Sequence, residues 1–333
     1  MAQPILHITT RQLSWAPVLV LVLFLAACSG GAEPPGQAGG TPIVLGISQV
    51  DVAANWNAAM TESIRQAGHD AGIDLRMEDA HRSQENQVAT LRAFISERVD
   101  VIAFSPVVET GWETVLREAR SAGIPVILMD RAIEVSDDSL YVSLIGADFI
   151  EEGRRAGRWL LEHFRDLPGE IDIVELQGTV GSAPANDRKQ GFAEIIAADP
   201  RFRIIRSQSG NFSRESGKRI MQSFLDAEGR RIRVLFAHSD TMALGAIEAI
   251  EAAGIKPGSD ILVISIEGSR EGLKAIVAGK LNLSVECSPL LGPPLMATVK
   301  DVVAGRPVPR HIVTREAMFS RETAAAALPD RRY

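Results

Sequence analysis

The sequence predicts an α/β protein made of two doubly wound parallel-sheet domains. Short β-branched runs alternate with longer amphipathic segments from Ile43 onward, and this alternation runs its course twice. A chain of 333 residues with 46% hydrophobic content is long for one core and ample for two. Strands separated by helical crossovers pair in parallel, with helices on both faces of the sheet.

The first series reads as strands at 43–48, 75–77, 101–104 and 126–129, with helices at 54–71, 84–97 and 111–121. Val88, Leu91 and Ile95 recur on one face of the second helix, as a period of 3.6 requires. A strand at 142–145 is expected to open the second series. It continues with helix 149–164, strand 171–176, helix 186–198, strand 202–206 and helix 214–225. Strand 234–236, helix 241–252 and strand 261–266 close it. Later pieces read as returns: helix 273–277, strand 283–286, helix 291–302 and strand 311–314.

The chain begins with a secretory signature. An apolar run from Ala16 ends in Leu25-Ala26-Ala27-Cys28, the pattern of a lipoprotein leader cleaved before an acylated cysteine. The run is shorter than the about 20 residues a membrane span needs. An ordinary signal peptide cleaved near Ala27 is the alternative. Residues 29–41, rich in Gly and Pro, then read as a tether with a mean reach of about 20 Å.

Removing residues 1–27 takes away Arg11 and no acid, so the mature chain is one unit more negative than the −7 of the whole. An acidic body without a basic cluster argues against nucleic acid and anionic headgroups as partners. Only two cysteines occur, so acylation of Cys28 would leave Cys287 without a disulfide partner.

In open parallel sheets, ligands sit beyond the carboxyl ends of the strands. Those positions carry Ser48-Gln49 followed by Trp56, His81-Arg82, Asp130-Arg131, Asp187-Arg188, Phe212, Ser239-Asp240, Glu267 and Glu286. Carboxylates accept pairs of hydroxyl hydrogen bonds, and arginine donates through a rigid, permanently charged fork. Trp56 and Phe212 could cover the C–H faces of a sugar ring. Trp159 lies within an amphipathic helix and reads as core; Trp112 is open between core and site.

These residues resemble the sugar-binding proteins of ABC importers that share the ribose-binding-protein fold, the type I periplasmic binding proteins. The similarity is greatest to the galactofuranose-binding branch and spans nearly all of residues 43–320. Its most specific pieces are Gln84-Glu85-Asn86-Gln87, Pro106-Val107-Val108 with Thr110-Gly111-Trp112, Val174-Glu175-Leu176-Gln177-Gly178-Thr179-Val180-Gly181, and Asp187-Arg188-Lys189-Gln190-Gly191-Phe192. The resemblance implies two lobes joined by a multi-strand hinge, one of residues 42–146 with 287–313 and one of 147–286 with 314–325. It puts Asp130, Arg131, Arg188, Asp240 and Glu267 on sugar-contacting positions, and Trp56 and Phe212 on ring-stacking ones. Three residues depart from the usual pattern: Glu267 for aspartate, Ser239 for asparagine, and Arg82 for the asparagine of the ribose branch.

The sequence reading is a monomeric, lipid-anchored binder of a galactofuranose-like monosaccharide that serves an integral membrane permease. Trp56, Arg82, Asp130, Arg131, Asp187, Arg188, Phe212, Asp240, Glu267 and Glu286 are the expected ligand contacts. No catalysis, cofactor or metal is expected. The six histidines show no metal spacing, and no Asp-x-Asp-x-Asp-Gly calcium loop occurs. Two rivals use the same residues: a sensory module for a membrane receptor, and a glycosidase built on Asp240, Glu267 and Glu286. A sugar-responsive repressor would need a DNA-binding head where the leader and linker stand.

Overall fold

The computed structural model describes residues 42–52 and 55–333. The expected leader, Cys28 and the 29–41 tether lie outside the described residues. Among those described, no helix is long and apolar enough to cross a membrane.

The described residues open with β1 (Val44–Gln49), α1 (Asn55–Ala71), β2 (Asp74–Asp79), α2 (Gln84–Glu97) and β3 (Val101–Phe104). It continues through α3 (Glu113–Ser121), β4 (Val126–Met129), β5 (Ser143–Gly146), α4 (Phe149–His163) and β6 (Ile171–Gln177). Then come α5 (Ala183–Ile196), β7 (Phe202–Ser209), α6 (Arg214–Glu228), β8 (Ile232–Ala237), α7 (Asp240–Ala252) and β9 (Leu262–Glu267). The remainder is α8 (Arg270–Val277), β10 (Leu283–Glu286), α9 (Gly292–Val303), β11 (His311–Val313), β12 (Met318–Ser320) and a single-turn helix α10 (Ala324–Ala327).

Two six-stranded sheets result, ordered β11-β5-β4-β3-β1-β2 and β12-β10-β9-β8-β6-β7. Every pairing is parallel except β10 with β12. The central strands β3, β4 and β9 are buried along their whole length, as strands covered on both faces must be. Both sheets reverse strand order at the same step, between β1 and β3 and between β6 and β8, which creates the crevice where such folds bind ligands.

The sequence expectation needs correction in three places. Segment 142–145 does not open the second series: β5 pairs with β4 and β11 and so belongs to the first sheet. Strand β7 runs on to Ser209, because an edge strand carries polar residues that mask its periodicity. Strand β12 was not read at all, being three residues long and antiparallel.

Three stretches of chain connect the two domains: 147–148 between β5 and α4, 287–291 between β10 and α9, and 314–317 between β11 and β12. Helix α4 packs on α5 with backbone against backbone. A Cβ at Gly153 would lie 2.3 Å from the carbonyl oxygen of Arg188, and one at Gly191 would lie 2.0 Å from that of Ile150. A Gly191→Ala substitution should therefore push the helices apart and cost about 1–3 kcal/mol. Urea unfolding measures this, and an unchanged midpoint would mean that the contact yields without cost.

Candidate functional site

Between the sheets' carboxyl edges lies a cavity of about 290 Å³, close to the low end of the roughly 300–1,000 Å³ range of small-molecule sites. Asp130 forms its floor on the first domain. The Arg131 N–H closes a three-residue turn onto the Met129 carbonyl at 2.6 Å, with Asp130 at φ +64°. That turn fits only because the neighbouring strand offers Gly146, where a Cβ would stand 2.7 Å from the Asp130 carbonyl oxygen. Arg131 Nε donates to Asp130 Oδ2 at 3.3 Å. Burial pushes the Asp130 carboxyl up, while the Arg131 and Arg188 charges pull it down without fully offsetting that rise.

Arg188 faces Asp130's side of the cavity from α5. It is 4% exposed, donates from Nε to Glu152 Oε2 at 2.7 Å and from Nη1 to the His238 carbonyl at 2.9 Å, and lies over the Phe149 ring. Burial opposes its charge, but the Glu152 carboxylate outweighs burial and holds the guanidinium protonated. Two of its five N–H donors are thus committed, and the rest remain for a ligand.

Trp56 and Phe212 border the cavity from opposite domains. Trp56 Nε1 donates to the Cys287 carbonyl at 2.7 Å, which fixes the indole. Phe212, at φ +55°, sets the far end of its ring against Gly178, where a Cβ would be 2.0 Å from Cζ. Arg82 stands at the rim, paired with Asp51 at 2.6 Å and donating across the cleft to the Asn211 carbonyl at 3.0 Å. A second bridge joins the Glu109 N–H to the Gly181 carbonyl at 2.9 Å, so the domains are closed on each other at the rim.

Glu267 completes the charged set. It is the last residue of β9, at φ +125° and 8% exposed, and its Oε2 accepts from the Thr241 N–H at 3.4 Å. Burial first, and then the charge of Asp240, push its carboxyl up to about 8. At neutral pH it is a carboxylic acid that can both donate and accept.

A crevice between two such domains, lined by fixed charges and closed at its rim, is a place to hold a small polar molecule. Residues 45–307 match the periplasmic binding protein domain family. The chain belongs to that family. It is 42% identical over 317 residues to the galactofuranose-binding protein YtfQ of Escherichia coli, covering 94% of this chain and 97% of the relative. A Mycobacterium smegmatis structure in complex with β-D-fucofuranose is 50% identical, with a TM-score of 0.84 over 86% of this chain and 94% of that one. The arabinose ABC transporter component of Shewanella sp. ANA-3, bound to α- and β-L-arabinofuranose, is 44% identical. Its TM-score is 0.83, over 87% of this chain and 95% of that one. The protein is thus an extracytoplasmic binding protein and not an enzyme, which removes the glycosidase alternative.

Trp56, Arg82, Asp130, Arg131, Arg188, Phe212 and Glu267 all line the cavity of this binding protein. Three expected contacts do not. Asp240 is wholly buried, and its carboxylate accepts from Ser265 Oγ, Ser284 Oγ, and both N and Oγ of Ser269, at 2.5–2.7 Å. Four donors fill the about four acceptor sites of a carboxylate, so Asp240 staples β9, β10 and α8 together. Glu286 is held by Arg331 (2.5 Å), Tyr333 (2.8 Å) and the Ala317 N–H (2.8 Å). Burial pushes its carboxyl up, but these donors outweigh that effect and leave it low. Asp187, half-buried on α5, is not part of the cavity lining, and burial, Glu109 and Asp148 push its carboxyl up to about 6.

Sequence reasoning did not place Val50, Asp51, Asn57, Val107, Thr179, Pro184, Ser213, Thr241 or Cys287 among the ligand contacts, and they also line the cavity. Only Asn57, one residue past Trp56, carried a usable signal. Trp112 proves to be core, fully buried with its Nε1 donating to the Val108 carbonyl.

The state of Glu267 has a measurable consequence. A glutamate of the unfolded chain titrates near 4.5, so between there and about 8 the native state holds a proton that the unfolded chain has lost. Glu267 therefore favours folding fully at low pH and progressively less as pH rises through that window. Glu267→Gln should flatten this part of the ligand-free protein's urea stability profile between about pH 5 and pH 9. An unchanged slope would show that Glu267 is already ionised at neutral pH.

Proposed function

We propose that the protein captures one monosaccharide in its furanose form and delivers it to an ABC importer, working as a lipoprotein anchored through Cys28. The observation that carries the sugar reading is the set of Asp130, Arg131, Arg188 and Glu267 around one small cavity bordered by Trp56 and Phe212. Buried charges and a protonated carboxyl match the alternating donors and acceptors of a polyol, and the aromatic faces match its C–H surface. The furanose assignment is supported by the sugars named for the relatives: galactofuranose, fucofuranose and arabinofuranose. A sugar touching Asp130 and Arg188 together stabilises only the closed arrangement, since an open cleft offers one of them at a time.

Calorimetric titration with arabinose, galactose, fucose and ribose should find a one-to-one ligand with no turnover. Carbon-13 spectra of the bound labelled sugar should show a furanose anomeric carbon. Asp130→Asn should weaken binding by about 1–3 kcal/mol, because a buried partner loses its hydrogen bond. Asp187→Asn, outside the cavity, should change it little. A bound pyranose, or equal effects of the two substitutions, overturns the reading.

The anchor is tested separately. Cys28→Ala should move the protein from the membrane fraction to the soluble extracytoplasmic fraction, with sugar affinity unchanged. Retention of the variant on the membrane would refute lipidation at this residue.

A further inference from the structure

Each of the three connections between the domains ends beside a group able to ligate a metal ion. Glu152 stands in the first turn of α4, just past the first connection; Cys287 directly follows β10; Glu316 lies between β11 and β12. One carboxylate oxygen of each glutamate and the Cys287 Sγ lie within 4.8 Å of one another. A second observation points to a ligand. Glu152 is 1% exposed, and while its Oε2 receives Arg188 Nε, its buried Oε1 has no hydrogen-bond donor. A buried acceptor of this kind is rare in folded proteins and calls for an ion or water.

From this geometry we propose that Glu152, Cys287 and Glu316 form a hinge site for one thiophilic divalent cation, of which Zn²⁺ is the fitting case. Two carboxylates with a thiolate favour zinc over the oxygen-seeking Ca²⁺ and Mg²⁺, and leave the fourth tetrahedral position to water. Charge closes as well: three anionic ligands are balanced by a dication and the Arg188 guanidinium. Cys287 lines the ligand cavity, so an ion reaches the site through the open cleft.

A thiol ligates zinc as the thiolate, so binding displaces the Cys287 proton into solvent. Because the ligands come from the start of α4 and two of the connections, the ion ties these together and sets how readily the domains part. The Arg188 bond to Glu152 Oε2 is left intact.

The test uses the Cys28→Ala protein, in which Cys287 is the sole thiol. Chelator-stripped protein is titrated with Zn²⁺ and with Co²⁺. One ion should bind per chain with release of protons, and cobalt should give the near-ultraviolet charge-transfer band of a thiolate ligand. Cys287→Ser should abolish that band, and both it and Glu316→Gln should weaken Zn²⁺ at least tenfold. In the protein without these substitutions, Zn²⁺ should slow alkylation of Cys287, a readout that survives if a variant fails to fold. Absence of one-to-one binding, a cobalt complex without the thiolate band, or no protection of Cys287 overturns the proposal. Sugar titration of the same stripped sample separates this outcome from failure of the sugar reading.

Discussion

Arg188 is a permanent charge with 4% of its surface exposed, and the structure around it is organised to answer that charge. Glu152 supplies the counter-ion from α4, the His238 carbonyl accepts from the other side, and Phe149 lies under the guanidinium plane. The pair can meet only where α4 and α5 touch along their backbones, which Gly153 and Gly191 permit. Removing one partner of a buried pair typically costs 3–5 kcal/mol, because the other is stranded. Since α4 directly follows the first connection between the domains, the group that faces the ligand is also mechanically joined to the hinge.

The cavity itself is a product of repeated topology. Both sheets reverse strand order at the same step, and the carboxyl ends of their strands face a common crevice. There the backbone departs from what side chains prefer: His81, Arg82, Asp130, Asn211, Phe212 and Glu267 all have positive φ. Such residues cost roughly 1–3 kcal/mol each and persist where the surroundings fix them. At Asp130 the fixing agents are Gly146 and the Ile145 carbonyl, which accepts the Asp130 N–H at 2.7 Å. His238 does similar work behind Phe212. Its Nδ1 accepts from the Gly178 N–H at 3.4 Å, so its Nε2 donates to Glu175 at 3.2 Å.

Much of this was legible beforehand, and each failure has a physical cause. The central strands and amphipathic helices announced themselves because burial on both faces leaves an unbroken apolar run. Edge strand β7 was shortened and β12 missed, since polar edges and three-residue strands leave little periodicity, while β5 went to the wrong series because chain order alone does not say which sheet a strand joins. Asp130, Arg131, Arg188, Phe212 and Glu267, picked out by strand-end position, line the cavity. Asp240 and Glu286, picked out by the same rule, do not line it. Nothing in a linear sequence says that three serines will converge on one carboxylate, or that Arg331 and Tyr333 will fold back onto the other.

The sequence by itself determined the alternation of strand and helix, the doubling of that pattern and the polar residues at the strand ends, because these follow from local periodicity and chain order. Tertiary structure decided which of those polar residues remain available. A carboxylate is either consumed by donors from distant segments or left facing a cavity, and that depends on contacts between residues far apart in the chain. It also decided that Glu152, Cys287 and Glu316, spread over 165 positions, meet at the hinge. The start of α4 and two of the connections carry them there.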